Sequence, residues 1–118
     1  MREMTRRGDI WLVDLDPTIG HEINKTRPAV IIQNDIHNEY SKLTIIAPLT
    51  SKNTSSIYPT EVLIPKEQGV ETDSKILLSQ IRTVDKRRLV RRVGRINSET
   101  QAQIDEAIRI SLGLVKIE

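Results

Sequence analysis

The chain contains no cysteine and no phenylalanine. The first absence excludes disulfides, thiolate nucleophiles and cysteine-ligated metals. Histidine is scarce as well: His21 and His37 stand alone in the sequence, which argues against a transition-metal site. Trp11, Tyr40 and Tyr58 are the only aromatic residues, so any contact with nucleic acid has to lean on polar and charged groups more than on a stacking platform. No apolar run approaches membrane-spanning length, and the segment Met1 to Arg7 is polar and basic, without the apolar stretch of a signal peptide. The expectation is a soluble, cytoplasmic protein with no membrane partner. At 118 residues the chain can bury one core, so residues 1–118 are expected to form a single domain.

Charge is plentiful and unevenly placed. The formal net charge is only +2, yet Arg82, Lys86, Arg87, Arg88, Arg91, Arg92 and Arg95 are set against the single acid Asp85. That run is a candidate phosphate-facing patch; taken alone it is equally an ordinary solvated face.

One stretch organises the rest: Thr26-Arg27-Pro28-Ala29-Val30-Ile31-Ile32-Gln33-Asn34-Asp35. Its β-branched run between turn formers predicts a strand buried on both faces, and Pro28 is expected to mark where that strand begins. Arg27 then stands at the mouth of a rigid element, a guanidinium with five donors and a charge that does not titrate away. Before it, Gly8 to Leu15 predicts a first strand, and Asp16 to Lys25 a polar loop carrying His21, Glu22, Asn24 and Lys25. After it, Asn34 to Glu39 reads as a turn and Leu43 to Ala47 as a strand closed by Pro48. Thr50 and Ser51 follow. If the two strands pair antiparallel, Arg27 and Thr50 become neighbours in space.

Lys52 to Tyr58 reads as a flexible connection, Thr60 to Ile64 as a fourth strand, and Lys75 to Val84 as one long or bent fifth strand. A short helical turn is expected over Asp85 to Leu89, then a strand over Val90 to Ile96. The last element is a helix capped by Asn97 or Ser98, with Ser98-Glu99-Thr100-Gln101 matching a capping box. Ile104, Ala107, Ile108, Leu112 and Val115 form one apolar face. Ile110 and Leu114 widen it, which suggests a homodimer contact, although a fully packed helix in a monomer would also account for them. Many short strands followed by one helix predict an α+β, mainly β fold: a strongly bent antiparallel sheet or partly closed barrel with a helix against it.

The ordered motifs Arg7-Gly8-Asp9-Ile10-Trp11-Leu12-Val13-Asp14-Leu15-Asp16-Pro17, Gly20-His21-Glu22, Lys25-Thr26-Arg27-Pro28-Ala29-Val30, Gln33-Asn34-Asp35, Pro48-Leu49-Thr50, Leu77-Leu78 and Gln80-Ile81-Arg82-Thr83-Val84-Asp85 resemble the MazF/PemK family of bacterial toxin endoribonucleases over nearly the whole chain. The resemblance implies an SH3-like barrel of the CcdB/PemK/MazF type, with about six or seven strands and a C-terminal helix. It further implies a homodimer, sequence-selective cleavage of single-stranded RNA, and a cognate, MazE-like antitoxin whose acidic tail covers the RNA-binding face. It maps the catalytic pair onto Arg27 and Thr50, with Glu22 of the Gly-x-Glu loop as a third member. RNA contact is assigned to His21 and Lys25, to Ser51 and Lys52, and to Gln80, Arg82, Lys86 and Arg87.

The chemistry suits these residues. RNA brings its own nucleophile, the 2′-hydroxyl, so the protein has mainly to orient in-line attack and stabilise the charge that develops on the phosphate oxygens. Arg27 and Thr50 can do that without a metal or any cofactor. Free arginine has a pKa above ~12, which suits Arg27 to electrostatic stabilisation and leaves the 2′-proton to Glu22 or water. Two other functions remain open at this stage: a CcdB-like, non-catalytic toxin that binds DNA gyrase, since barrel topology alone does not decide, and a relative that binds RNA through its basic run without cleaving it.

Overall fold

The computed structural model describes residues 4–116, the side chain of Glu67 apart. Met1 to Glu3 of the basic N-terminal segment, and the last two residues of the expected domain, lie outside the described residues. In chain order the elements are β1 (Asp9–Asp14), β2 (Thr26–Ile31), α1 (Asp35–Tyr40), β3 (Leu43–Thr50), β4 (Glu61–Ile64), β5 (Ser74–Leu77), β6 (Arg82–Asp85), β7 (Leu89–Arg95) and α2 (Ser98–Ser111). The strands form one antiparallel sheet in the order β4-β5-β3-β2-β1-β7, with β6 also on β3. The sheet is bent and barrel-like but stays open between β4 and β7, and α2 packs against β4.

β2 is buried on both faces, as its composition predicts. Val30 joins the cluster under α2 with Ile10, Leu49, Ile64, Ile76 and Ile104. Ala29 and Ile31 join a second cluster with Trp11, Val13, Leu15, Ile46 and Val84. Each such fully buried aliphatic side chain contributes about 1.5–3 kcal/mol, so the strand is held from two sides.

Four sequence expectations need correction. Asn34 to Glu39 is a short helix, because the Asn34 side chain caps it by accepting the His37 N–H at 2.9 Å. Pro48 does not close β3, which runs on to Thr50. The Ile45 carbonyl accepts from Ile32 on the β2 side, so Pro48, an odd number of residues away, faces the other edge. There β6 has ended at Ile46 and β5 has not begun until Leu49, and the missing N–H breaks no ladder. The stretch Lys75 to Val84 is two strands on that one edge. Ile46 and Leu49 lie three residues apart on β3, while their partners Arg82 and Ile76 lie six apart; the 3-10 turn Leu78–Gln80 takes up the excess. Finally, Leu112 and Val115 do not extend the packed face of α2. Gly113, at φ +75°, ends the helix, with Leu114 N–H on the Arg109 carbonyl and Gly113 N–H on the Ile110 carbonyl. The N-terminal cap is Asn97, which accepts the Thr100 N–H at 2.8 Å, while Gln101 donates to Asp105 rather than reaching back.

Arg7 staples the chain ends together. Its backbone N–H donates to Asp35, its Nε to the Ile32 carbonyl and its Nη2 to Asp105 at 2.6 Å. The Arg7 N–H holds the Asp35 carboxyl below the ordinary range against the cost of its burial. Burial opposes ionisation of Asp105 too, but the bonds from Arg7 and Gln101 outweigh it and its pKa is also lowered. Depressed folded pKa values make this contribution complete above the ordinary carboxylate value and lost as pH falls through the folded ones. Urea midpoints are therefore expected to fall on acidification below about pH 4. Arg7→Met keeps the backbone N–H on Asp35 but removes the guanidinium from Asp105, so it should flatten the Asp105 share of the profile, and an unchanged profile would refute the Arg7–Asp105 arm of the staple.

The seam beside β7 is closed by backbone. A Cβ on Gly94 would meet the Gln68 carbonyl oxygen at 2.5 Å, and one on Gly69, at φ +112°, would meet Gly94 Cα at 2.7 Å. Gly94→Ala is expected to destabilise the fold by about 1–3 kcal/mol, read as a lowered urea midpoint. Wild-type stability in that variant would show that the seam yields freely.

Candidate active site

The site originates in one missing donor. The Ile31 carbonyl accepts from Gly8 on the β1 side and the Ile32 N–H donates on the β3 side, so Pro28 faces β3. It has no N–H to give. The β2–β3 ladder accordingly stops at Ala29↔Pro48, while β2 stays paired to β1 as far as Thr26. Pro28 thus does not begin the strand, as expected from sequence; it ends the pairing on one edge. Beyond it the two strands separate, and Arg27 and Thr50, which the same register would place opposite one another, both line the opening.

That opening is a cleft of about 440 Å³. Leu12, Pro28, Leu49, Val70 and Val93 give it apolar walls, and Thr26, Thr50, Ser51, Thr72 and Ser74 line it with hydroxyls. Arg27 and Arg91 supply two cations against the single acid Glu71. Arg27 Nε donates to the Asn24 carbonyl at 2.6 Å, which fixes the plane of the guanidinium. Its terminal nitrogens make no hydrogen bond within the described residues. Thr50 Oγ1 accepts the Lys52 N–H at 3.2 Å and keeps its own proton to donate.

The other expected site residues fall elsewhere. His21, Glu22, Gln80 and Arg82 line a separate depression of about 330 Å³ with Ile23, Ser79 and Ile81. Glu22 accepts the Ile19 N–H at 2.6 Å, so the structure does not bring it to Arg27 and Thr50. Gln80 Oε1 accepts the Ile23 N–H at 2.9 Å, and Arg82 Nη1 donates to the Leu15 carbonyl; both hold the β1–β2 loop. Lys25, at φ +70°, and Lys52 are exposed. Lys86 donates to the Asn38 carbonyl and Arg87 pairs with Asp85 at 3.0 Å, away from both depressions.

The basic run is therefore divided. Arg95 pairs at 2.7 Å with Asp9, which is fully buried, with Arg92 farther off at 3.9 Å, and Arg88 donates to the Asp14 and Asp16 carbonyls. Of the run, Arg91 alone lines the cleft. Sequence reading did not single it out. Its one signal is alternation with Val93, which lines the same cleft, and the two β-bulges in the β1–β7 pairing obscure that alternation. Among the described residues no group of three or more His, Asp or Glu side chains is placed to hold a metal ion.

A bent, barrel-like sheet with a terminal helix and a dicationic cleft where two strands part defines a class of small, mainly β proteins with a barrel-like fold. Comparison with known proteins narrows the class. Residues 6–112 match the PemK-like, MazF-like toxin of type II toxin–antitoxin systems, and the chain belongs to that family. It is 42% identical over 113 residues to the endoribonuclease EndoA of Bacillus subtilis, covering 95% of this chain and 97% of that protein. Among solved structures, MazF from Deinococcus radiodurans superposes with a TM-score of 0.82 at 25% identity, over 95% of this chain and 99% of the other. An endoribonuclease from a mycobacterial species, in complex with its cognate antitoxin, superposes with a TM-score of 0.76 at 22% identity, over 95% of this chain and 98% of the other, and a MazE-MazF complex from Deinococcus radiodurans with 0.75 at 21% identity, over 95% and 98%.

Because Gln80 ties the β1–β2 loop by one side-chain bond, Gln80→Ala is expected to speed amide exchange at Ile23 while leaving the core strands protected. Unchanged exchange at Ile23 would mean that other contacts hold the loop.

Proposed function

We propose that the protein is the ribonuclease of a toxin–antitoxin pair, cutting single-stranded RNA by transesterification at the Arg27–Thr50 cleft without a metal or cofactor. The observation that carries this reading is the release of β2 from β3 at Pro28, with a guanidinium whose terminal nitrogens make no hydrogen bond among the described residues and a hydroxyl that has its proton to give on the two freed strands. Family membership supports it, as does the name endoribonuclease carried by the Bacillus relative.

In the proposed reaction the ribose 2′-oxygen attacks phosphorus, the bond from phosphorus to the 5′-oxygen breaks, and the products are a 2′,3′-cyclic phosphate and a 5′-hydroxyl. The terminal N–H groups of Arg27 donate to two phosphate oxygens, and the Thr50 hydroxyl donates to an oxygen on which charge grows. Arg91 adds a second positive charge. Water takes the 2′-proton and water returns a proton to the leaving 5′-oxygen, so the step is balanced without an added reactant. Glu22, held by the Ile19 N–H in the separate depression, is not placed to take the 2′-proton. His21, Gln80 and Arg82 contact the strand beyond the scissile phosphate, and Lys25, Ser51 and Lys52 flank it; Lys86 and Arg87 contribute only long-range charge.

An acidic, extended antitoxin segment would satisfy the same two cations and apolar walls, folding as it binds. Two of the structurally similar proteins were solved as complexes, one with its cognate antitoxin and the other with MazE. A second copy of the chain would cover Leu112 and Leu114, which are 56% and 71% exposed. Among the described residues no helix is long and apolar enough to cross a membrane, and the proposed site of action is the cytoplasm, where messenger RNA is met.

Purified protein is expected to cleave single-stranded RNA in EDTA and to spare DNA of the same sequence, which lacks the 2′-hydroxyl. Arg27→Ala and Thr50→Val should each lower the rate about a hundredfold or more with antitoxin binding kept. Cleavage of DNA, or a metal requirement, sinks the mechanism. RNA binding without fragments would mark a non-catalytic relative, and toxicity unchanged in Arg27→Ala would mark a toxin that acts by binding gyrase.

A further inference from the structure

Outside the cleft, Lys75 is a buried lysine, 5% exposed in β5. Its strand partners are Thr50 on β3 and Leu63 on β4. Directly opposed residues of an antiparallel pair present their side chains to one face, with Cβ atoms about 5 Å apart. Lys75 therefore starts beside Thr50, on the face opposite the core residues Leu49, Ile76 and Val62.

The 51–60 connection is tied to that ammonium. Lys75 Nζ donates to the Ser56 carbonyl at 3.2 Å and to Glu61 Oε1 at 3.0 Å, and it stands 5.9 Å from the centre of the Tyr58 ring. Glu61 Oε1 also accepts the Tyr58 N–H at 3.0 Å. The pair is nearly closed to solvent, with side-chain exposures of 7% and 10%. The other hydrogen bonds of residues 51–59 are local, Lys52 N–H to Thr50 Oγ1, Ser56 N–H to the Asn53 carbonyl and Glu61 N–H to the Tyr58 carbonyl, and at the far end the Thr60 carbonyl accepts the Leu78 N–H at 3.0 Å. A segment so rich in Ser, Thr and Asn buries little apolar surface of its own.

We infer that Lys75 is a positioning residue of the proposed reaction: its buried ammonium, neutralised by Glu61, holds the 51–60 connection and thereby the orientation of Thr50 and Ser51 at the cleft. The inference rests on the ribonuclease reading of that cleft. Neutralisation matters as much as the tie, since a lone Glu61 carboxylate on β4, with only β5 between it and Thr50, would repel the incoming phosphate, whereas the pair presents no net charge.

The test compares wild type, Lys75→Met, the double variant Lys75→Met/Glu61→Leu, and Lys75→Arg, all in the full chain. The measurements are urea unfolding, amide exchange at Ser56 and Tyr58, and kcat and KM on a short RNA. Lys75→Met is expected to be destabilised, because it leaves a buried carboxylate without its counter-charge. The double variant strands no charge and should regain stability, yet exchange faster at both amides and lose about ten- to a hundredfold in kcat/KM. Lys75→Arg, which keeps the charge and the donors, should stay above the double variant in both protection and kcat/KM. Wild-type exchange and kcat/KM in the double variant would overturn the inference and leave the ribonuclease reading standing. If the double variant does not fold, Lys75→Arg decides: a kcat/KM as low as that of Lys75→Met would overturn it. Wild-type protein that leaves RNA intact would overturn the reading and the inference together.

Discussion

The site depends on the antiparallel register of β2 against β3. Ala29 lies opposite Pro48, Val30 opposite Ala47 and Ile31 opposite Ile46, and because both faces of β2 are buried, a slip of one residue would turn Val30 into the cluster built for Ala29 and Ile31. The register is therefore specified by packing that has no part in the chemistry. Function enters where that packing ends. Pro28 withholds one hydrogen bond, the strands part, and a guanidinium and a hydroxyl from different strands are left facing the same opening.

Electrostatics then decide what can enter. The chain has 18 lysines and arginines against 16 acids, and most cations of the basic run are occupied by neighbours: Arg95 with Asp9, Arg87 with Asp85, Arg82 and Arg88 with carbonyl oxygens. Arg27 and Arg91 differ in that their charge is turned toward the cleft, where only Glu71 opposes it. A polyanion such as RNA can satisfy both cations at once, and so can a peptide carrying carboxylates. The apolar walls favour a chain with flat or greasy groups between its charges, which describes both.

Much of this could be read before any coordinates. The adjacency of Arg27 and Thr50 follows from two strand predictions and the geometry of antiparallel pairing, and the start of α2 follows from Asn97 and the spacing of Ile104 and Ala107. Where reading failed, local chemistry was ambiguous. Asn34-Asp35 suits a turn and a helix cap equally. Leu78-Ser79-Gln80 breaks a strand with neither glycine nor proline to announce it. Arg91 and Arg92 differ in destination because bulges in the β1–β7 pairing decide which side chain faces inward. Lys75, set between Ser74 and Ile76, reads as a surface residue; only the connection folded over it makes it buried.

Lys75 and Pro28 also show how one small sheet serves two opposed needs. Catalysis by electrostatic stabilisation requires donors held still before the substrate arrives, since reorganisation during the reaction would cancel the gain. Recognition of a flexible strand requires openings and polar loops that accept it. Here the rigid requirement is met from within: Arg27 by the Asn24 carbonyl, Thr50 by the Lys52 N–H and by its pairing with Lys75 across the β3–β5 ladder. The open requirement is met where the sheet lacks a bond, at Pro28. Rigidity thus comes from pairs that are complete and access from a pair that is not, so the same ladder that builds the barrel-like sheet also delimits the proposed active site.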